Sequence, residues 1–229
     1  MKKKLILLSG PSCVGKGPLR KALEDFHPEI GFAEPVWIHS RKPRFKRSEG
    51  RYEVHGVDYY FSPRGMVELL PRDRFLVGDL GYGLQAMDLA HLEEMFDAND
   101  VVFTEMSLVF QDPLADWVKR QARFDIEVRH VMLVPMTLEE VERKSAETGA
   151  PPEQVVYEVM IGKQRRRGED PPEKMERRAR AAYPEMKAAR PGTKIIVCRA
   201  GEDDLSEWGR PLGPEARRVL GEFVKVFVE

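Results

Sequence analysis

The sequence has few cysteines, no long apolar run and almost no net charge. Its two cysteines, Cys13 and Cys198, are too few for the disulfide framework of a small secreted domain. No segment approaches the ~20 apolar residues that span a bilayer, and Gly10 ends the first apolar run too early for a signal peptide. The formal net charge of -1 gives no general attraction to nucleic acid or anionic membranes. We therefore expect a cytoplasmic protein whose basic sites are local, with neither nucleic acid nor membrane as a partner.

What the sequence does contain is an alternation of buried strands and amphipathic helices. Hydrophobic residues make up 42% of the chain, which is enough for a substantial core. Short apolar runs predict strands at 4–10, 33–40, 100–106, 125–135 and 193–199. Helical spacing predicts helices at 19–26, 88–96, 138–147 and 214–228, with a long charged helical region at 151–189 that is broken at 168–172. Such alternation favours an α/β fold with a mainly parallel sheet.

The first strand leads into a glycine-rich loop that fits the phosphate-loop pattern G-x-x-x-x-G-K. In such a loop the glycines let several backbone N–H groups face one phosphate, the following helix adds partial positive charge, and the lysine reaches the outer phosphates. Strand, loop, lysine and helix occur here in the required order. We therefore predict that nucleotide phosphates are bound by Gly10, Pro11, Ser12, Cys13, Val14, Gly15, Lys16 and Gly17.

The loop departs from the full pattern directly after Lys16, where a serine or threonine ordinarily binds Mg²⁺. Gly17 has no hydroxyl, and Pro18 offers a phosphate neither a hydroxyl nor an N–H. Pro18 does suit the first turn of a helix. Cys13 leaves two interpretations open, a small residue that fits the loop or a thiol made reactive by the helix N-terminus.

A second basic motif lies at 40–44 and is followed by an aromatic stretch at 53–61. Arg41 and Arg44 flank Pro43, which stiffens the chain, and two guanidinium groups held in this way can bind one phosphate bidentately. Tyr59 can add a phenol donor. The alternative is a basic surface loop, to which the neighbouring lysines would also contribute.

Taken together, these motifs resemble those of the guanylate kinase family. That family has a G-P-S-G-x-G-K loop, a monophosphate site that reads T-T-R-x-P-R, G-E and G-x-D-Y-x-F, and later F-L-E and N-Y-Y-G motifs. The matching residues are Gly10, Pro11, Ser12, Gly15, Lys16, Arg41, Pro43, Arg44, Glu53, Gly56, Asp58, Tyr59, Phe61, Phe75, Leu76, Tyr82 and Gly83. The segments 165–186 and 194–199 resemble the family's R-G-x-D helix and last strand. The resemblance covers about 4–110 and 126–200 and leaves an unmatched insertion at 146–163.

The resemblance implies a P-loop kinase three-layer fold and phosphoryl transfer from ATP, with Mg²⁺, to a nucleoside monophosphate such as GMP. It implies that the acceptor's phosphate is held by Arg41, Arg44, Tyr59 and Tyr82. It implies that the catalytic residues are Lys16, Arg41, Arg167 and Arg178, the last two closing from a helical lid. We predict a single domain with its core at 1–36, 86–140 and 190–229, an inserted acceptor-binding lobe at about 37–85 and the lid at about 141–189.

The positions that read the base depart from the family pattern. The stretch Trp37-Ile38-His39-Ser40 stands where the family has small hydroxyl residues ahead of the arginine, and Val77 replaces the glutamate of F-L-E. Asp79 or Glu105 can supply the carboxylate that the N–H groups of guanine require. Trp37 can stack on a base, although a lone aromatic at a strand end is more often part of the core. Glu105 ends a predicted strand, where it can instead orient Mg²⁺ through water, and no residue is expected to bind the metal directly.

Other interpretations stay open at this stage. The same fold can act on another nucleotide or on a phosphorylated sugar, because the arginine pair suits any phosphomonoester. Some domains that resemble guanylate kinases have lost catalysis and bind protein partners, and the Gly17-Pro18 pair is consistent with that outcome. The lid helix also has a plainer interpretation as a solvated face with i,i+4 ion pairs, Glu173 with Arg177 and Glu176 with Arg180.

Overall fold

The computed structural model describes residues 2–46 and 50–228. The strands are β1 (Lys3–Ser9), β2 (Ile38–His39), β3 (Phe45–Lys46), β4 (Arg51–Tyr52), β5 (Tyr60–Phe61), β6 (Phe75–Asp79), β7 (Leu84–Asp88), β8 (Val101–Glu105), β9 (Ile126–Val134) and β10 (Lys194–Val197). The helices are α1 (Lys16–Phe26), α2 (Arg64–Glu68), α3 (Leu89–Ala98), α4 (Gln111–Arg120), α5 (Leu138–Thr148), α6 (Pro152–Arg167), α7 (Pro172–Lys187) and α8 (Pro214–Val228), with a 3₁₀ turn at Leu108–Phe110. The chain divides into a first unit, Met1–Ile6 with Phe32–Val128, and a second unit, Leu7–Gly31 with Arg129–Glu229.

The first unit combines a short central pairing with a separate small sheet. The start of β1 lies beside β8, and the small sheet has the order β5-β2-β7-β6. Strand β7 runs antiparallel to both β2 and β6, whereas β2 and β5 are parallel. Val67 of α2 and Leu84 and Ala86 of β7 form the buried cluster beneath this sheet. Strands β3 and β4 pair antiparallel, and β3 directly follows the segment that carries the predicted arginine pair.

The second unit is built on the strands β10, β9 and the end of β1, in that order. Strands β10 and β9 are parallel, with Lys194 paired to Val131 and Val197 paired to Val134. Residues 131–134 are buried, as expected for a strand that is covered on both faces. Helix α8 packs on α1 and β10, and α6 packs on α5 and α7.

Local sequence signals explain how the helices of the second unit begin and end. The Thr137 hydroxyl accepts from the N–H of Glu140, whose carboxylate accepts from the N–H of Thr137, and this capping box starts α5. Helix α6 begins with Pro152 and ends at Arg167, and Gly168 caps it with a left-handed φ of 63°. Pro172 then opens α7. The predicted break in the long helical region is therefore confirmed.

The predicted fold class is confirmed as α/β with a mainly parallel central sheet and several helices. The strand predicted at 33–40 is shorter than expected, since only Ile38–His39 forms a strand and Ala33 makes an isolated bridge with Val102. Pro35 lies within the predicted strand and cannot donate a ladder hydrogen bond. Within the described residues, no helix combines the length and the apolar character needed to cross a bilayer. The predicted boundaries of core, lobe and lid stay a prediction.

Candidate functional site

The phosphate loop connects β1 to α1 and is sharply curled. Gly10, Cys13 and Gly15 have φ values of 134°, 74° and 113°, all in the left-handed region. A side chain at Gly10 would place its Cβ only 2.2 Å from the carbonyl oxygen of Leu133, so this position requires glycine for space as well as for conformation. Gly15 caps the helix that Lys16 begins. The strand, curled loop and helix N-terminus form the arrangement in which backbone N–H groups bind phosphate.

Lys16 folds back over the loop that precedes it. Its Nζ donates to the carbonyl oxygens of Gly10 at 2.7 Å and Pro11 at 3.1 Å, so the ammonium group lies above the curl. Gly17 follows with open space around its Cα, because nothing lies within 4 Å of the Cβ that a larger residue would add. A serine side chain would therefore fit at this position, so steric hindrance does not explain the missing hydroxyl.

Cys13 is fully buried inside the loop. Burial, together with the nearby negative charge of Glu202, raises the pKa of its thiol to about 12. A thiolate is disfavoured in these surroundings, so the structure favours the interpretation of Cys13 as a small residue that fits the loop over that of a reactive thiol. The family pattern has glycine at this position, and a glycine in the pattern indicates that the backbone there is left-handed, as it is at Cys13.

The predicted arginine pair in the first unit meets on one buried carboxylate. Both Nη atoms of Arg41 donate to Glu53, Nη2 at 2.7 Å to Oε1, and the backbone N–H of Arg44 donates to Oε2 at 2.9 Å. Arg44 Nη2 also lies 3.4 Å from Oε1. The side chain of Glu53 is only 3% exposed. Although burial raises the pKa of Glu53, its hydrogen bonds with Arg41 and Arg44 outweigh this and lower the pKa overall.

Aromatic rings surround the guanidinium group of Arg41. Its Cζ lies 5.0 Å from the ring centroid of Tyr59 and 5.5 Å from that of Phe61. The buried ring of His39 lies 5.4 Å from Tyr59 and 6.2 Å from Tyr82, between centroids. Burial raises the pKa of Tyr59 to about 12, so its hydroxyl keeps its proton and can donate to an anion. The structure thus brings together the four residues predicted to bind the acceptor's phosphate, Arg41, Arg44, Tyr59 and Tyr82.

Glu105 and Asp79, the two acids predicted to read a base, have different surroundings. Glu105 ends β8 and is close enough to Tyr59 for its charge to raise the pKa of that phenol. Asp79 is about half exposed at the end of β6, where its carboxylate accepts from Arg64 at 2.9 Å and from the N–H of Gly81 at 2.8 Å. Glu105 therefore lies near Tyr59, whereas Asp79 is engaged within its own turn.

Of the positions that differ from the family pattern, Trp37 is buried in the first unit and Val77 is partly buried. The indole Nε1 of Trp37 donates to the Thr104 hydroxyl at 2.8 Å, and its ring packs against Phe110 with centroids 4.6 Å apart. Phe110 in turn occupies the space beside Gly78, where an added Cβ would come within 2.8 Å of its ring. Val77 packs on the apolar cluster beneath β7. The core interpretation of Trp37 is the one that the structure supports.

The two predicted lid arginines converge on Asp170, whose side chain is 2% exposed. Arg167 at the end of α6 contacts its Oδ2 at 2.8 Å, and Arg178 on α7 contacts the same oxygen at 2.5 Å. Lys174 contacts Oδ1 at 2.6 Å. Burial raises the pKa of Asp170, but its hydrogen bond with Lys174 and the charge of Arg178 outweigh this and lower the pKa. The exposed pair of Arg180 with Glu176 also exists, so the helix carries a solvated face beside the arginine cluster.

Sequence reasoning missed several polar residues that the structure places in or beside the phosphate loop and the two arginine clusters. Glu53 matched the family's G-E motif but was not assigned a role. Gln164 is buried on α6 and donates to the carbonyl oxygen of Ser12 in the phosphate loop at 3.0 Å. Burial raises the pKa of Glu185 on α7, while the charges of Lys16 and Arg178 act in the opposite direction. For Gln164 and Glu185 no sequence signal was present, because a helix with many polar residues looks solvated on all sides.

Comparison with known proteins identifies relatives of one kind. A guanylate kinase of Bifidobacterium longum is 30% identical over 146 residues, which cover 62% of this chain and 68% of that protein. A guanylate kinase of Listeria monocytogenes is 36% identical over 106 residues, 45% of this chain and 48% of that protein. A guanylate kinase of Bacillus cereus is 45% identical over 73 residues, so the match spans 32%, about a third, of that relative's length and of this chain.

The structural comparison agrees with the sequence comparison. The crystal structure of a guanylate kinase from Anaplasma phagocytophilum matches with a TM-score of 0.55 at 14% identity, covering 98% of this chain and 84% of that chain. At this identity the match shows a similar fold. No family model matches the chain.

Proposed function

This chain belongs to the guanylate kinase family, and from that premise we propose that it transfers a phosphoryl group from ATP to a nucleoside monophosphate. GMP is the acceptor that the family favours, with GDP and ADP as the products. The observation that carries the proposal is the pairing of Arg41 and Arg44 on Glu53, in a chain that also has a curled phosphate loop with Lys16 above it. Two separately built phosphate sites are what a kinase with a phosphorylated acceptor needs.

In the proposed mechanism, the residues of the phosphate loop, the arginine pair and the lid have different roles. The loop's N–H groups and Lys16 bind the phosphates of ATP and stabilise the negative charge on the outer phosphate. Arg41 and Arg44 fix the acceptor's phosphate, with Tyr59 and Tyr82 as phenol donors. Arg167 and Arg178 stabilise the charge that is spread over the transferring group, which is where phosphoryl transfer gains most.

Mg²⁺ would enter this site together with ATP. Within residues 2–46 and 50–228, no group of three or more His, Cys, Asp or Glu side chains is arranged to hold a metal ion. Gly17 supplies no hydroxyl, so phosphate oxygens and water would be the ligands, with Glu105 acting through water. When bound, the ion neutralises charge on the phosphate oxygens.

A coupled assay for ADP and GDP formation tests the proposed reaction. With ATP, Mg²⁺ and GMP we expect turnover, and with each of AMP, UMP and CMP a lower kcat/KM. Titration calorimetry with ATP, with and without Mg²⁺, provides the parallel binding measurement. Turnover of none of the four monophosphates, together with no ATP binding, would contradict the proposal and favour a protein-binding module.

A second candidate keeps the reaction and changes the acceptor. It is favoured by one observation: Trp37 is buried with its Nε1 already donating to Thr104, and Val77 packs against the apolar cluster beneath β7, so neither offers a bound base a free polar group. A site without hydrogen-bonding partners for a base discriminates poorly among bases. The same assay run with a panel of sugar phosphates separates the two candidates, since turnover of a sugar phosphate and of no nucleotide would select the second.

The location that best fits this proposal is the cytoplasm, where ATP and nucleoside monophosphates are present. Both cysteines are free and buried, as is usual in reducing compartments. Cell fractionation followed by immunodetection tests the assignment, and recovery in a membrane or exported fraction would contradict it.

A further inference from the structure

One buried amide lies between the phosphate loop and the arginine cluster of the second unit. Gln164 is 1% exposed on α6. Its Nε2 donates to the carbonyl oxygen of Ser12 at 3.0 Å, and its Oε1 accepts from Arg167 Nη2 at 3.2 Å. Arg167 also donates to Asp170, the carboxylate on which the lid arginines meet. A chain of hydrogen bonds therefore runs from the loop to that carboxylate.

The contact with Ser12 controls an N–H group that the loop needs. A trans peptide unit is planar, so the carbonyl of Ser12 and the N–H of Cys13 point in opposite directions. Holding the carbonyl toward α6 fixes the Cys13 N–H on the other side of the peptide. Cys13 has a φ of 74°, which a residue with a side chain rarely adopts, so this peptide needs an external contact to stay in place.

The contact with Arg167 fixes which way the amide faces. A flipped amide would place its oxygen against the Ser12 carbonyl and its NH₂ group against the guanidinium, and both contacts would be repulsive. Arg167 thereby keeps the NH₂ group directed at the loop. If Arg167 leaves Oε1 to contact a phosphate, the amide loses this constraint and the loop peptide is held less firmly.

We propose that Gln164 is a positioning residue that orients the Ser12–Cys13 peptide of the phosphate loop and couples this orientation to the position of Arg167. The inference rests on the proposed function, because it gives the loop the role of binding a nucleotide. It adds a link between donor binding and a lid arginine that runs through α6.

The test is a double-mutant cycle on nucleotide binding. Affinity for a non-hydrolysable ATP analogue is measured by calorimetry for the wild type, Q164M, R167M and the double variant. Since a hydrogen bond contributes about 0.5–1.5 kcal/mol net, Q164M should weaken binding roughly 2- to 10-fold. R167M should weaken binding by a larger factor in the wild type than in the Q164M background. Equal factors in the two backgrounds, or wild-type affinity of Q164M, would overturn the inference.

Two further variants keep the test independent of folding. Q164E retains an acceptor for Arg167 but sets an oxygen against the Ser12 carbonyl, so it should weaken binding as Q164M does. Q154M makes the same change on α6 at a residue whose Nε2 donates to the exposed Glu158, and it should bind the analogue normally. If the wild type itself binds no analogue, the proposed function fails as well. If the wild type binds the analogue and Q164E and Q164M bind it equally well, only the inference is overturned.

A spectroscopic readout reports on the peptide without any turnover. The chain has two cysteines, so labelling with ¹⁵N-cysteine gives two amide signals, which C198A assigns. We expect Q164M and Q164E to move the Cys13 signal, and Q154M to leave it unchanged. A Cys13 signal that stays in place in both Gln164 variants would contradict the proposed orienting role.

Discussion

Arginines gather on a single buried carboxylate in two regions of the molecule, but the balance of charge differs between them. At Glu53 two arginines face one acid, and a backbone N–H holds the same carboxylate. At Asp170 the ion pairs join three cations, Arg167, Lys174 and Arg178, to three acids, Asp170, Glu169 and Glu202. Counted over these ion pairs of the described residues, the first cluster has more cations than acids and the second has equal numbers of each, although Glu105 also places a negative charge near Tyr59 beside the first.

This difference indicates distinct roles for the two clusters. A positively charged cluster with fixed geometry binds a dianion with little rearrangement, so it should act mainly on the affinity for the acceptor. A cluster with equal numbers of cations and acids has to exchange a carboxylate for a phosphate before its arginines can act, so it should act mainly on the rate of transfer. The predictions that follow test this distinction, beginning with the largest effect.

The largest effect is expected for Lys16→Ala, which removes the lysine of the phosphate loop. We expect kcat/KM to fall by about 10²–10³-fold or more, because a preorganised charge at the transferring group is lost. Steady-state kinetics measures the loss. Lys21→Ala on the same helix, where the side chain is exposed and pairs with Asp25, is the matched control and should leave activity unchanged. Comparable losses in both variants would remove the assigned role of Lys16.

The next effect separates the two clusters directly. Arg41→Ala should raise the acceptor KM about 10- to 100-fold with a smaller change in kcat, since a charged hydrogen-bonding partner contributes about 1.5–3 kcal/mol. Arg178→Ala should lower kcat by a similar factor and change the KM little. Arg180→Ala, exposed on α7, is the control. If Arg41→Ala left both KM and kcat unchanged, its assignment would be wrong, and the same kinetic pattern in both variants would remove the distinction between the clusters.

A smaller effect concerns pH and is confined to the second unit. His130 contacts the hydroxyls of Ser9 and Thr193 at 2.7 and 3.2 Å, and burial, with the charge of Arg190, lowers its pKa from 6.5 to about 4. Between those values the unfolded chain binds a proton that the folded chain does not, so stability falls as pH decreases from about 6.5 toward 4. His130→Gln should flatten that part of the curve.

Denaturant unfolding at several pH values measures this slope. His91→Gln, at an exposed site on α3, serves as the control and should keep the wild-type slope. An unchanged slope in His130→Gln would show that other groups determine the pH dependence.

The smallest effect is expected for Gly17→Ser, which restores the missing hydroxyl. Nothing lies within 4 Å of the new Cβ, and serine is a better helix former than glycine, so stability should rise by about 0.5 kcal/mol. The Mg²⁺ concentration for half-maximal activity should fall. Gly221→Ser on α8 also enters open space and should give the gain in stability without the change in Mg²⁺ dependence. A Mg²⁺ requirement that stays the same in Gly17→Ser would mean that the hydroxyl has no role here.

The phosphate loop and the arginine pair could be predicted because each depends on residues close together in the sequence. The spacing of Gly10, Gly15 and Lys16 is a local pattern, and so is that of Arg41 and Arg44 around Pro43. The capping box of Thr137 and Glu140 is likewise a local pattern, since the two residues are three positions apart in the sequence. The roles of the site residues themselves stay predictions.

What could not be predicted depends on tertiary contacts. No helix was predicted at Gln111–Arg120, because Pro113 interrupts the pattern and only Leu114 and Trp117 are buried. Gln164 is buried although its neighbours Arg165 and Arg166 are charged, since the contact that buries it comes from the phosphate loop, about 150 residues earlier. Polar residues that fold inward carry no periodic signal of their own.

Because Cys13 is buried, the reactivity of its thiol reports on the opening of the phosphate loop. A thiol with a pKa of about 12 and no exposed surface reacts with alkylating reagents only when the loop opens. In a C198A variant, the rate of labelling would therefore measure how often the curl comes apart, in the way that hydrogen exchange measures opening elsewhere. Protection by added nucleotide would give the occupancy of the loop by a simple mass measurement, without any assay of product.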